Sequence, residues 1–252
     1  MDTLGDPYCP PRNSDETWIE NGLHYRNTIP DEAELLLATQ SGALDLRDYQ
    51  QWVEFGWKTP IGSLESSARL AKKMNEEMSE LMLAQLEHEQ SPSEITSEHV
   101  LEEAGDVAWV LTAIASNGGE GITRMTRIAR HPGEESQEPF TLNDLILAPI
   151  PRCEIPELKS APLISRLKIE ALTYALEGFE HHLIAAQVPL EQPKLATWGA
   201  QYADKYPYLM ALLHNILSEI GLSLNQAIAR NIDKISHRRI TNTLDKTDPG
   251  RS

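Results

Sequence analysis

The sequence predicts an all-α chain. Apolar residues recur with helical spacing over several long stretches, β-branched residues are dispersed, and only three phenylalanines are present in 252 residues. The start, Met1 to Asp15, contains Cys9-Pro10-Pro11 and has no basic segment leading into an apolar run, so it does not read as a signal peptide. Residues 1–40 are expected to form a loosely ordered arm, with one candidate hairpin where Asn21-Gly22 separates Thr17–Glu20 from Leu23–Arg26. Beyond the arm, helices are expected at Leu44–Phe55, Leu64–Glu89, Pro92–Asn117, Leu163–Gln187, Pro207–Glu219 and Leu224–His237. The third opens at Ser91-Pro92-Ser93-Glu94, where serine can cap a helix that begins with proline and glutamate, and Gly118-Gly119 closes it. From Arg130 to Pro162 the chain is rich in proline and acid and poor in periodicity, which reads as a long surface-packed loop or insertion. The expected organisation is a helical domain over 41–240, interrupted at about 118–205, and a frayed tail over 241–252.

Charge narrows the function classes. Lys and Arg number 22 against 38 Asp and Glu, a formal charge of −16, so the surface as a whole repels nucleic acid and anionic membranes. Any phosphate ligand must be held by local cations. The longest mainly apolar stretch, Val107 to Ala115, falls well short of the roughly 20 residues that span a bilayer. Two distant cysteines, Cys9 and Cys153, lack zinc spacing and do not make a disulfide framework. A reduced, cytoplasmic setting is the expectation.

Four carboxylates stand out on helical wheels. With Met74 at zero, Leu70, Met78 and Leu81 fall within about 40° of it, Glu77 at about −60° and Glu80 at about −120°. With Val100 at zero, Ala104, Val107, Leu111 and Ile114 form the apolar arc, Glu103 falls at about −60° and Asp106 at about −120°. Each helix therefore carries an i, i+3 acidic pair on the same flank of its buried stripe, and the short connection makes the two helices antiparallel neighbours. Charges gathered at a core edge are costly unless neutralised, and a divalent cation is the simplest neutraliser. An all-oxygen set selects magnesium first and manganese next over zinc. Glu76 and Glu102 fall at about 200°, on the solvated side, and are not expected to be primary ligands.

The segments Lys73-Met74-Asn75-Glu76-Glu77-Met78-Ser79-Glu80-Leu81 and Leu101-Glu102-Glu103-Ala104-Gly105-Asp106-Val107-Ala108-Trp109 resemble the MazG-like all-α nucleoside triphosphate pyrophosphatases. That family is marked by E-x-x-E followed by E-x-x-D, matched here by Glu77/Glu80 and Glu103/Asp106. Asp48-Tyr49-Gln50 is similar to its opening helix, and Gly221-Leu222-Ser223-Leu224 leading to Asn231-Ile232-Asp233-Lys234 and Arg238 is similar to its closing one. The matching segments cover about residues 45–117 and 207–239. The resemblance implies a Mg2+-dependent (or Mn2+-dependent) hydrolase that converts a nucleoside or deoxynucleoside triphosphate to the monophosphate and pyrophosphate, a house-cleaning type of activity. It implies Glu77, Glu80, Glu103 and Asp106 as metal-binding catalytic residues, and Asn231, Lys234 and Arg238 near the triphosphate. Related dimeric dUTPases and phosphoribosyl-ATP pyrophosphohydrolases share the scaffold, so the substrate stays open among them.

Other residues join the reading from their own chemistry. Arg230, Lys234, Arg238 and Arg239 stand against the single acid Asp233, and Lys234 and Arg238 share a helix face suited to phosphate. Lys73 could reach phosphate or pair with Glu77. Trp52, Trp57 and Trp109 are core candidates, with Trp57 also a candidate wall for the base. His181-His182 and the set Arg124, Arg127 and Arg130 lack partners at diagnostic spacing, so packed or solvated roles are favoured. The family usually forms dimers or tetramers and runs from the E-x-x-D helix almost directly into the Gly-Leu-Ser-Leu helix, whereas roughly ninety residues intervene here. Arg69-Leu70 recurs as Arg166-Leu167, and Leu111–Ile122 lines up with Leu213–Leu224, which allows a degenerate internal duplication. Lys205 and Tyr208 would then replace Glu103 and Asp106, and the chain would be a single-chain pseudo-dimer rather than a homodimer. From a different class, a non-catalytic nucleotide-sensing or interaction module that keeps the metal site remains the alternative.

Overall fold

A computed structural model describes residues 18–20, 23–25, 30–118, 141–146, 160–187 and 205–240. It is all-α apart from one two-stranded ribbon. Strands β1 (Trp18–Glu20) and β2 (Leu23–Tyr25) pair antiparallel with Glu20 opposite Leu23, as the Asn21-Gly22 turn predicts. The helices are α1 (Glu32–Ser41), α2 (Leu46–Gly56), α3 (Leu64–Gln90), α4 (Glu94–Asn117), α5 (Leu142–Ile146), α6 (Leu163–Gln187), α7 (Lys205–Glu219) and α8 (Leu224–Ile240).

Helices α3 and α4 form the hairpin that carries the acidic pairs. Ser63 caps α3 by accepting from the Ser66 amide, and Ser93 caps α4 in a reciprocal box with Thr96, so α4 starts at Glu94 and Pro92 stays outside it. Leu70, Met74, Met78 and Leu81 of α3 and Val100, Ala104, Val107 and Leu111 of α4 are all buried, the stripes that the wheels predict. From Val107 to Asn117 nearly every side chain of α4 is buried. A helix covered on all sides is a central one, and α4 packs against α2, α3, α7 and α8. Helix α6 covers the other side of α3 and pairs with α7.

Two parts of the fold differ from expectation. Residues 32–40, placed by sequence in a loose arm, belong to α1, which Asp31 caps and Gly42 ends at a φ of 74°. Leu35 is 4% exposed, and the helix packs on α8. Within the stretch read as a surface loop, Leu142 and Leu145 of α5 are fully buried, and the Leu142 amide donates to the Leu44 carbonyl at 2.9 Å. Residues 1–17 of the expected arm and the tail over 241–252 lie outside the described residues, as do Arg124, Arg127 and Arg130.

Gly105 sets how closely α8 approaches α4. A Cβ at this position would lie 2.4 Å from the Ala227 carbonyl oxygen and 2.8 Å from the Asn231 Cβ. Only glycine lets the α8 backbone pass this near, and the approach brings Asn231 and Lys234 over the next residue, Asp106.

Candidate metal centre

Three of the four predicted carboxylates converge. One oxygen from each of Glu77, Glu80 and Glu103 can be chosen so that all lie within 4.8 Å of one another. Among the described residues this is the one group of His, Cys, Asp and Glu side chains so placed. Their depths differ, because Glu77 lies nearer than Glu80 to the seam of the hairpin. Glu77 is 2% exposed, Glu80 is exposed and Glu103 is intermediate.

Lys73, one turn before Glu77, forms an ion pair with its Oε1, whereas Oε2 is buried without a hydrogen-bond partner. Glu103 Oε2 is buried and unpartnered in the same way. Burial, and then the charge of Asp106, push the Glu77 carboxyl up to about 7, against the pull of Lys73. Glu103 is raised by burial, by Asp106 and by Glu80, with Lys234 and His99 opposing. Two buried carboxylate oxygens that nothing among the described residues satisfies, beside an exposed third acid, make a donor set that fits a cation. The donors are all oxygen, which suits a hard ion.

Asp106 faces a different set of groups. Its Oδ1 accepts from Asn231 Nδ2 at 2.5 Å, and its Oδ2 from Lys234 Nζ at 2.5 Å. Asn231 is fully buried, and its Oδ1 has no hydrogen-bond partner among the described residues. The structure therefore joins the N-x-x-K segment of α8 to the E-x-x-D segment of α4, two parts of the chain over a hundred residues apart. Asp106 also contributes to the raised Glu77 and Glu103 carboxyls, so the aspartate and the three glutamates share one electrostatic environment.

The basic run on α8 divides into separate roles. Arg230 lies 2.9 Å from Glu102, 3.3 Å from Glu98 and 3.9 Å from Asp233, so it belongs to a surface network on the far face of α4. Arg239 pairs with Glu32 at 2.5 Å, and its guanidinium sits 5.2 Å from the Trp52 ring centroid, fastening α8 to α1 and α2. Arg238 is half-buried, one turn beyond Lys234. Glu76 pairs with Lys72 at 3.5 Å and Glu102 with Arg230 of α8, so both are half-exposed, paired and outside the three-glutamate group.

Trp52 is fully buried, stacked on Tyr49 and hydrogen-bonded to Glu32, so it is core. Trp57 packs against Trp109 at 5.5 Å between centroids and donates to Ser66 Oγ at 2.8 Å. Trp109 lies one turn beyond Asp106, which puts this aromatic pair further along α4 from the acids. His182 is packed rather than solvated: its Nδ1 lies 2.9 Å from Ser67 Oγ and 2.8 Å from the Gly178 carbonyl. The α6–α7 pair holds a neutralised arrangement, with Lys205 3.8 Å from buried Glu170 and the Tyr208 hydroxyl accepting from Arg166 at 2.8 Å.

One residue at the centre was missed by the sequence reading. His99 places Nε2 3.3 Å from Glu103 Oε1 and Nδ1 3.2 Å from Glu87 Oε2. The i, i+4 spacing to Glu103 is visible in the sequence, but the Glu87 contact exists only because α3 and α4 pair in this register.

No helix among the described residues is long and apolar enough to cross a membrane. Comparison with protein families, with curated proteins and with solved structures finds no match to this chain.

Proposed function

We propose that the protein is a magnesium-dependent nucleoside triphosphate pyrophosphohydrolase that releases pyrophosphate and a nucleoside or deoxynucleoside monophosphate. The observation that carries this reading is the convergence of Glu77, Glu80 and Glu103 beside an Asp106–Asn231–Lys234 cluster, in the spacing of the MazG-like family. Glu77, Glu80 and Glu103 would hold the ion, and Asp106 lies between this cluster and Asn231 and Lys234 of α8. Magnesium, or manganese in its place, would supply there the polarisation of the phosphoryl group and the lowered pKa of a bound water.

The protein's own groups do the rest. Lys234, 17% exposed, presents an ammonium at the rim beside Asp106, and Arg238 follows on the same helix face, so triphosphate charge is offset locally in a chain of net charge −16. Lys73 adds a third cation from α3. The glutamates supply the oxygens able to accept the proton of an attacking water at the α-phosphorus, as pyrophosphate leaves. Trp57, packed on Trp109, is read as support for the base-binding wall.

Pyrophosphate release from a panel of ribo- and deoxynucleoside triphosphates with Mg2+ tests the assignment. Activity is expected, and it is lost in Glu80→Gln and in Asp106→Asn. Thermal stabilisation by Mg2+ and nucleotide without any product would favour the sensing module, a reading that draws on the occupation of both Asp106 oxygens by protein donors. The assembly proposed is a homodimer, or a single-chain pseudo-dimer if α6 and α7 are a degenerate second copy of α3 and α4. Light scattering is expected to give a dimer mass in the first case and the mass of one chain in the second.

A further inference from the structure

We infer that His99 is a positioning residue for the metal centre, holding Glu103 through a relay that runs Glu87–His99–Glu103 across the α3–α4 seam. This inference rests on the metal-binding reading of the glutamate cluster and deepens it.

A glutamate side chain has three rotatable bonds, and fixing it at a site costs rotamer entropy at the moment an ion binds. In Glu103 that freedom is already restrained. His99, four residues earlier on the same helix, places Nε2 3.3 Å from Oε1. The other oxygen, Oε2, is left buried and without a partner, on the carboxylate that joins Glu77 and Glu80. The imidazole is itself oriented, because its Nδ1 lies 3.2 Å from Glu87 Oε2 on the facing helix. A histidine turned by one carboxylate so as to hold another group is the arrangement by which residues around a metal site tune its ligands, and removing such a partner typically weakens metal affinity 10- to 100-fold. Because Glu87 belongs to α3 and Glu103 to α4, the relay also fixes the rotation of one helix against the other at the level of the site. Of the three clustered glutamates, the one His99 pairs with is Glu103, so it acts on the site through Glu103.

The simpler reading of the same contacts is a surface staple between helices, with His99 40% and Glu87 48% exposed. Metal affinity separates the two. Mn2+ binding to the full chain is measured calorimetrically in wild type, His99→Ala, His99→Gln and Glu87→Gln, alongside the thermal midpoint of each metal-free protein. His99→Ala is expected to weaken Mn2+ binding about 10-fold or more, His99→Gln to recover most of it through its amide donor, and Glu87→Gln to fall between, with metal-free midpoints close to wild type. Lowered midpoints with unchanged Mn2+ affinity would overturn the inference and leave a staple. Should His99→Ala fail to fold, Glu87→Gln decides, since that half-exposed site tolerates the change, and an unaltered affinity there overturns the relay. Glu77→Gln is the control for the underlying reading: loss of binding there with none in the His99 and Glu87 variants refutes the relay alone. Wild-type protein that binds no Mn2+ refutes both.

Discussion

Replacing Glu77 by glutamine is expected to remove much of the pH dependence that this buried carboxyl imposes on folding. The group is 2% exposed and pushed from 4.5 up to about 7, first by burial and then by Asp106. The unfolded chain releases the same proton near the ordinary carboxyl value. Between about pH 4.5 and 7 the folded protein therefore binds more protons than the unfolded one, and stability falls as pH rises through that window. Above pH 7 the whole penalty is present; below 4.5 it is absent. The difference between about 7 and 4.5, at ~1.4 kcal/mol per unit, corresponds to on the order of 3–4 kcal/mol. Urea unfolding with chelator present, at about pH 4 and about pH 8, measures it. Glu77→Gln should match wild type at the lower pH, where both side chains are neutral and nearly isosteric, and exceed it by that amount at the higher one. Added Mn2+ should then raise the stability of wild type at pH 8 far more than that of the variant. Equal pH slopes in the two proteins would refute the claim that an unneutralised carboxylate is buried at the α3–α4 seam.

Three further outcomes follow from the same geometry. Gly105→Ala should lower the calorimetric midpoint, because overpacking against the Ala227 carbonyl costs roughly 1–3 kcal/mol and outweighs the gain of up to about 1 kcal/mol in helix propensity; an unchanged or higher midpoint would deny the close approach of α8 to α4. Lys234→Met should reduce kcat/KM for pyrophosphate release on the order of 10²-fold, while chemical unfolding shows a loss below about 2 kcal/mol; activity within twofold of wild type would remove Lys234 from the site. Glu102→Gln breaks a half-exposed pair with Arg230, so stability should change by about 1 kcal/mol or less and Mn2+ affinity not at all; a tenfold loss of affinity would show that the far face of α4 belongs to the site.

Much of this architecture is legible in the sequence, and the reason is periodic. Each turn of a helix repeats the same face, so Met74, Met78 and Leu81 identify the buried stripe of α3, and the flank of that stripe locates Glu77 and Glu80 without any coordinates. The same reasoning on α4 sets Glu103 and Asp106 on the matching flank and puts Glu102 outside. Helix α1 escaped because Leu35, Leu36 and Leu37 are consecutive and mark no single face, and because only contact with α8 shows that Leu35 is covered while Leu37 is 67% exposed. Leu142 and Leu145 escaped for a related reason, since five residues are too few to display a helical period.

Sequence alone determined the class, the acidic pairs, their flanks and the basic character of α8, because each depends on spacing within one helix. Tertiary structure decided how deep each acid lies, that Asp106 meets Asn231 and Lys234, that Arg230 and Arg239 are engaged elsewhere, and that His99 spans two glutamates. Those facts depend on how one helix is rotated and shifted against another. The closeness of α8 to α4 at Gly105 is a distance between two backbones, and no pattern along a single strand of residues encodes it.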